Sequence, residues 1–114
     1  NDKGAIVSPA LSKENCKIIS DVMGVEVLQK KIAGSHLSGV SLRANNTGAA
    51  VHPETEEKDI EIIADVLGVN VEQSSINGGV PYVSSGILAN NHCIVVGSLT
   101  NGPEIMNLTK AFLN

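Results

Sequence analysis

An internal repeat constrains the fold of this chain more than any other feature of its sequence. The opening segment NDKGAIVSP, at 1–9, returns as NNTGAAVHP at 45–53 and in shorter form as NNHCIVVG at 90–97. The copies begin 44 and then 45 residues apart, counting from residue 1 to 45 and from 45 to 90. Similarity at a fixed spacing is typical of proteins built from stacked, equivalent units.

A second segment repeats in the same register. The sequence DVMGVEV at 21–27 matches DVLGVNV at 65–71, with five of the seven positions identical. We therefore divide the chain into two complete units, 1–44 and 45–89, and an incomplete third unit at 90–114.

Each unit begins with the pattern of a tight turn, a strand and a helix. Asn-Asn or Asn-Asp favours the turn, because these side chains tolerate positive φ and bond to nearby backbone. A short, uninterrupted apolar run follows, as at 49–51, and predicts a strand buried on both faces. Ser12 and Thr55 are the predicted N-caps of the first two helices, and Gly24 and Gly68 the residues that end them.

Two further strands complete the unit. The first follows the helix directly, at 25–27 and 69–71, and the last lies at 40–44 and 87–89 after a glycine-containing turn. A unit of strand, helix, strand and strand cannot bury both the apolar face of its sheet and the apolar face of its helix. Neighbouring units must therefore cover these faces for one another. The pattern predicts an α+β fold, and closure into a ring would remove the exposed sheet edges.

Composition and charge exclude several classes of function. No run of apolar residues is long enough to predict a membrane span. The formal net charge is −4, and Lys30-Lys31 is the sole pair of adjacent basic residues, which argues against a DNA- or RNA-binding face and favours a basic protein partner. Cys16 and Cys93 share no metal-binding spacing and predict reduced core thiols in a cytoplasmic protein.

The repeated segments also resemble a known family. NDKGAIVSP at 1–9, ADVLGVNVEQSSINGG at 64–79 and ANNHCIVVGSLTNGPEI at 89–105 are similar to the C-terminal half of translation initiation factor 6 of archaea and eukaryotes. The resemblance covers the whole chain. It implies the pentein fold, an α-β propeller of five such units in a ring around a pseudo-fivefold axis. This chain would supply about two and a half of the five units.

The resemblance implies a function without catalysis. Members of the family bind the intersubunit face of the large ribosomal subunit, prevent premature joining of the small subunit and take part in large-subunit maturation. Their main docking partner is a ribosomal protein of the L14 class, next to the sarcin–ricin loop. The expectation is therefore no catalytic residue, no cofactor and no metal. As a piece of a ring with open sheet edges, the chain alone is also expected to self-associate.

An enzymatic function is the alternative. Penteins include the guanidine-modifying deiminases and amidinotransferases, whose nucleophilic cysteine near the C-terminus works with a histidine and carboxylates. Cys93 lies near the C-terminus, but His92 cannot readily serve it, because neighbouring residues of a strand point to opposite faces. His36 and His52 have no accompanying set of metal ligands.

The turns between strands are the predicted docking sites for a partner. The glycines at 34 and at 78–79 belong to such turns, because no helix or GK[ST] motif follows to form a phosphate cradle. By the ring geometry we expect these glycine turns to lie on one rim, and we assign the extra residue of the second unit to Pro81 or Tyr82. Six residues are predicted to contact the partner: Asp2, Asn45, Asn77, Val80, Tyr82 and Asn90.

Overall fold

A computed structural model describes residues 1–113, so Asn114, the last residue of the predicted third unit, lies outside the described residues. The strands are β1 (Gly4–Val7), β2 (Glu26–Gln29), β3 (Leu42–Ala44), β4 (Gly48–Val51), β5 (Asn70–Gln73), β6 (Ile87–Ala89) and β7 (Ile94–Val96). The helices are α1 (Lys13–Met23), α2 (Ser38–Ser41), α3 (Glu57–Leu67) and α4 (Gly102–Phe112), with a 3-10 helix η1 (Val83–Gly86) between β5 and β6.

The ends of the long helices follow the capping chemistry of the sequence, with one exception. The Ser12 hydroxyl accepts from the Asn15 N–H at 3.1 Å and caps α1, as predicted. Gly24 and Gly68 end α1 and α3 with φ of 67° and 64°, a left-handed conformation that glycine adopts without strain. The prediction of Thr55 as the cap of α3 is wrong, because the Thr55 hydroxyl donates to the His52 carbonyl. The cap is Glu56, and the helix begins at Glu57, one residue later than predicted.

Helices connect parallel strands in this fold. Helix α1 joins β1 to its parallel partner β2, and α3 joins β4 to its parallel partner β5. Strand β3 turns directly into β4 and pairs with it antiparallel, as β6 does with β7. Each unit thus passes its last strand to the sheet of the next unit.

The predicted α+β propeller is wrong for this chain. Its described residues form three separate sheets of two, three and two strands in a mixed α/β array measuring 42 × 29 × 23 Å, and no ring closes. The class is α/β because βαβ crossovers build the parallel pairs. Only the middle sheet combines strands of two units on both sides of its central strand. Within residues 1–113, β4 pairs with both β3 and β5, whereas β1 pairs with β2 alone and β7 with β6 alone.

Strand β4 lies between two hydrophobic clusters. Ala49 and Val51 face a cluster with Ile63 and Leu67 of α3, and Ala50 faces a cluster that includes Leu108 of α4. All four residues of β4 are buried, which confirms the prediction of burial on both faces for this strand. The same prediction is wrong for β1 and β7, which lie at the open ends of the array and are only partly covered.

The first unit departs from the prediction where its last strand begins. The sequence pattern predicts Val40 within the strand, but this residue lies in the short helix α2, and β3 begins at Leu42. The Ser38 side chain explains the difference, because its hydroxyl donates to the Lys30 carbonyl and holds one helical turn against the loop before it.

Each later helix packs on the first strand of the unit before it. A Cβ atom on Gly48 would lie 1.6 Å from the Ala111 carbonyl oxygen of α4, and one on Gly4 would lie 2.3 Å from that of Val66 in α3. Glycine is required at both positions, since any side chain would displace the helix. Cys93 stands at the matching place in the third unit, where it is exposed.

Candidate partner-binding surfaces at the two ends of the strands

Asparagine side chains shape the turns that precede β4 and β7. The Asn45 Oδ1 accepts from the backbone N–H groups of Thr47 and Gly48 at 2.8 and 2.9 Å. The Asn90 Oδ1 accepts from His92 and Cys93 at the same two distances. Asparagine is favoured in turns because its side chain can accept hydrogen bonds from the backbone N–H groups two and three residues later.

The same side chains link successive units in a ladder. The Asn1 Nδ2 donates to the Asn45 carbonyl at 3.0 Å, and the Asn45 Nδ2 donates to the Asn90 carbonyl at 2.9 Å. We call this region, with Asp2 beside it, the asparagine end. Asp2 and Asn90 are exposed there, whereas Asn45 is only 8% exposed and its polar atoms are engaged within the molecule.

The other three predicted contact residues lie at the opposite end of the strands. The loop that carries Asn77, Val80 and Tyr82 leaves the carboxyl end of β5, which runs parallel to β4. The Asn77 Oδ1 accepts from Leu99 N–H at 3.3 Å, just past the end of β7. The six predicted residues therefore form two groups at opposite ends of the strands.

The extra residue of the second unit is a glycine. Equivalent loops close between Ile32 and Ser35 in the first unit and between Ile76 and Val80 in the second. The shorter loop holds two residues of positive φ, and the longer one holds three, the last being Gly79 at 109°. The assignment of the insertion to Pro81 or Tyr82 is therefore wrong, since both follow the point where the loop has closed.

Exposed apolar side chains collect at the carboxyl end of the strands. Leu37 is 65% exposed and Tyr82 46%, and they immediately precede α2 and η1, which lie against each other in adjacent units. Val40 and Val80 are 38% and 39% exposed in the same two segments. We call these four residues the carboxyl-end patch. The Tyr82 ring stands edge-on to buried His52, with 5.8 Å between the ring centroids.

Glu104 is the residue that the sequence analysis missed. It is 4% exposed, and its carboxylate accepts hydrogen bonds from the Ser75 hydroxyl at 2.6 Å and from the N–H groups of Gly78, Gly79 and Asn101 at 2.8 to 3.0 Å. Burial raises the Glu104 pKa, but the four hydrogen bonds outweigh it and lower the pKa to about 2. The spacing of Asn101 and Glu104 is that of a capping box, a signal for the helix start that does not reveal the contacts with the glycines.

An acidic residue fills the equivalent position of α3. Asp59 is the third residue of α3, as Glu104 is of α4. Its carboxylate lies 2.8 Å from the Lys30 ammonium, in the loop that follows β2, and each side chain is 20% exposed. Both carboxylates thus tie a helix start to the loop of the preceding unit.

Cys93 lines a cavity of about 230 Å³ together with Arg43, Leu88 and Val95. No histidine or carboxylate is among the residues that line it, so the cavity offers no general base for a nucleophilic thiol. Among residues 1–113 there is no cluster of three or more His, Cys, Asp and Glu side chains suited to a metal ion. None of the helices described is both long enough and apolar enough to cross a membrane.

Comparison with known proteins decides the family. The sequence profile of the eIF-6 family matches residues 1–111. The chain belongs to the eIF-6 family. The resemblance inferred from the repeated segments is therefore confirmed.

Relatives in this family share high identity along the whole chain. Translation initiation factor 6 of Nitrosopumilus maritimus (strain SCM1) is 73% identical over 114 residues, which is 100% of this chain and 52% of the relative. The factor of Cenarchaeum symbiosum (strain A) is 58% identical over 98% of this chain and 51% of its own length. That of Pyrococcus furiosus is 57% identical over 97% and 49%. The chain thus spans about half the length of these eIF-6 family relatives.

Proposed function

We propose that this chain is part of a non-enzymatic translation factor that binds the large ribosomal subunit in the cytoplasm and prevents it from joining the small subunit. The same protein takes part in maturation of the large subunit. The carboxyl-end patch carries the proposal, because exposed apolar side chains on adjacent, closely held loops are typical of a protein-binding surface. Steric blocking of this kind requires a well-fitting body and no catalytic group.

The proposed docking partner is a basic ribosomal protein of the L14 class, next to the sarcin–ricin loop. The chain carries a net charge of −4, which favours approach to a basic surface and makes the association rate fall as salt rises. Tyr82 supplies a rigid aromatic contact, a residue type enriched at interfaces. Val80 lies beside it in the same loop, and Asn77 holds that loop against the end of β7.

The asparagine end is a second proposed contact, formed by Asp2, Asn45 and Asn90. Asp2 and Asn90 are exposed, and Asn45 supports them from within the ladder. Because the asparagine end and the carboxyl-end patch lie at opposite ends of the strands, each surface can be tested with its own substitutions.

Co-sedimentation with purified large ribosomal subunits tests the proposal. We expect protein containing this chain to bind at low salt and to inhibit joining of small subunits. The double variant Val80→Ser, Tyr82→Ala should weaken binding at least tenfold, and Asp2→Ala reports on the asparagine end separately. Met106→Ala, which shortens a side chain that is 73% exposed on α4, is the matched control. No binding of the unmodified protein to large subunits would contradict the proposed function.

We also propose that the 114-residue chain expressed alone self-associates. Among the described strands, β1 pairs only with β2 and β7 only with β6, so each has an edge that offers backbone groups to another strand, and Val22 on α1 is 81% exposed. Light scattering as a function of concentration measures this. A monomer that persists at high concentration would contradict self-association while leaving ribosome binding unaffected.

A further inference from the structure

We propose that Glu104 is a positioning residue that holds the loop 77–82 in the conformation presenting Val80 and Tyr82 to a partner. Its role in docking rests on the function proposed above, whereas its effect on the loop can be measured without any partner.

The first step of the argument is the hydrogen bonding of the inserted glycine. Gly79 lengthens this loop by one residue relative to the loop in the first unit. Successive N–H groups of Gly78 and Gly79 then point to one side, an arrangement that binds anions. The Glu104 carboxylate occupies that concavity at 2.8 and 2.9 Å, so the longer loop is held by a charge from another element.

The second step is the coupling between this contact and the patch. The backbone N–H and carbonyl groups of Ile76 and Val80 bond to each other in both directions at 2.8 Å and close the loop directly after Gly79. Tyr82 follows two residues later, at the start of η1. A change in the conformation of Gly78 and Gly79 is therefore transmitted to Val80 and Tyr82 over a very short stretch of chain.

The third step concerns what else holds the two elements. Helix α4 is anchored independently by Leu108 and Phe112, which are buried in the core. The opposite side of the loop is bound less tightly, through the 3.3 Å bonds of Asn77 with Leu99 and with the Thr100 hydroxyl. Loss of the Glu104 carboxylate should thus loosen the loop and leave α4 in place.

Nuclear magnetic resonance of the backbone amides tests this role. Glu104→Gln preserves the size of the side chain but presents an NH₂ group among N–H donors. We expect the Gly78 and Gly79 amide signals to shift upfield and their protection from hydrogen exchange to fall at least tenfold. Ser75→Ala, which removes a single bond to the carboxylate, should give a smaller change of the same kind and serves if the first variant does not fold. Asp59→Asn is the matched control, because it alters the equivalent acidic residue of α3 and should leave both glycine signals unchanged.

Binding of the Glu104→Gln variant to large ribosomal subunits tests the connection with docking. Glu104→Gln should weaken binding about tenfold, and the exposed-surface control Met106→Ala should not. Unchanged Gly78 and Gly79 signals in Glu104→Gln would overturn the positioning role. Altered signals with normal binding would overturn only its relevance for docking. If the unmodified protein does not bind large subunits, the proposed function and the docking role both fail, while the amide measurements still decide whether Glu104 holds the loop.

Discussion

The Nδ2 atom of Asn45 lies 2.9 Å from the carbonyl oxygen of Asn90, and this hydrogen bond joins the second unit of the chain to the third. The Oδ1 atom of the same side chain holds the turn before β4. One buried carboxamide therefore fixes a turn and also joins two units. Removing one partner of a buried hydrogen-bonded group leaves the other partner unpaired. The free energy of unfolding then falls by the cost of burying that unpaired group.

Replacing Asn45 with alanine should lower the free energy of unfolding by about 2 to 3 kcal/mol, because the N–H groups of Thr47 and Gly48 and the carbonyl of Asn90 lose their partner. Equilibrium denaturation with urea measures the change. Asn91→Ala is the control. The Asn91 Oδ1 also accepts a hydrogen bond from a backbone N–H group, that of Asn46, but Asn91 is exposed. The free energy of unfolding of this variant should therefore fall by less than about 1 kcal/mol. Equal losses for the two variants would contradict the structural importance of the ladder.

The close approach of α4 to β4 gives a second prediction. Gly48→Ala places a Cβ atom 1.6 Å from the Ala111 carbonyl oxygen, so the helix must move and the free energy of unfolding should fall by about 3 kcal/mol or more. Gly39→Ala is the matched control, because a Cβ atom there meets nothing within 4 Å, and its effect should be within about 0.5 kcal/mol. Thermal and urea denaturation of both variants provide the comparison. A tolerated alanine at position 48 would show that α4 does not pack on β4 in this way.

Stability in acid should depend on Glu104. Its pKa is lowered to about 2 in the folded protein from 4.5, so folding favours the ionised form. The stabilisation is fully present above pH 4.5 and is lost as the pH falls toward 2. The difference in free energy of unfolding between the unmodified protein and Glu104→Gln should be on the order of 2 kcal/mol near neutral pH and should shrink below pH 4.5. Urea denaturation across this range measures it, and a difference independent of pH would contradict the assigned ionised state.

Local chemistry predicts much of this fold from the sequence. Ser12, Gly24 and Gly68 act on their immediate neighbours, and the structure places helix ends at all three. Thr55 fails as a cap because its hydroxyl has a competing acceptor, the His52 carbonyl, which a capping pattern does not reveal. Contacts within one turn of the chain can thus be predicted, but a choice between two nearby partners cannot.

Features that depend on contacts between distant parts of the chain could not be predicted from the sequence. Glu104 reaches Gly78 and Gly79 across more than twenty residues, and nothing in its local sequence indicates that its carboxylate bonds beyond the helix cap as well as within it. The opposite placement of Asp2 and Tyr82 follows from the parallel pairing of β4 with β5, which the order of strands alone does not make evident. The open array likewise depends on which strands share a sheet, and the repeat pattern does not determine this.

The ion pair between Lys30 and Asp59 gives the last prediction, because it joins two units through charges that are only partly screened by solvent. Each side chain is 20% exposed, whereas Lys58 and Glu56 form a pair at 3.3 Å with exposures of 74% and 67%. A double-mutant cycle with Lys30→Met and Asp59→Asn should give a coupling free energy of about 1 kcal/mol, and a cycle on the exposed pair a value near zero.

Salt should distinguish the two kinds of contact that join helix starts to loops. The coupling of Lys30 with Asp59 should weaken as NaCl is raised toward 1 M, because part of each side chain remains in contact with solvent. The contribution of Glu104 should change little over the same range, because its carboxylate is buried and its partners are a hydroxyl and backbone N–H groups. Urea denaturation of the single and double variants at several salt concentrations measures both effects. If the Lys30–Asp59 coupling were insensitive to salt while the effect of Glu104→Gln declined, the assignment of these two contacts would have to be reversed.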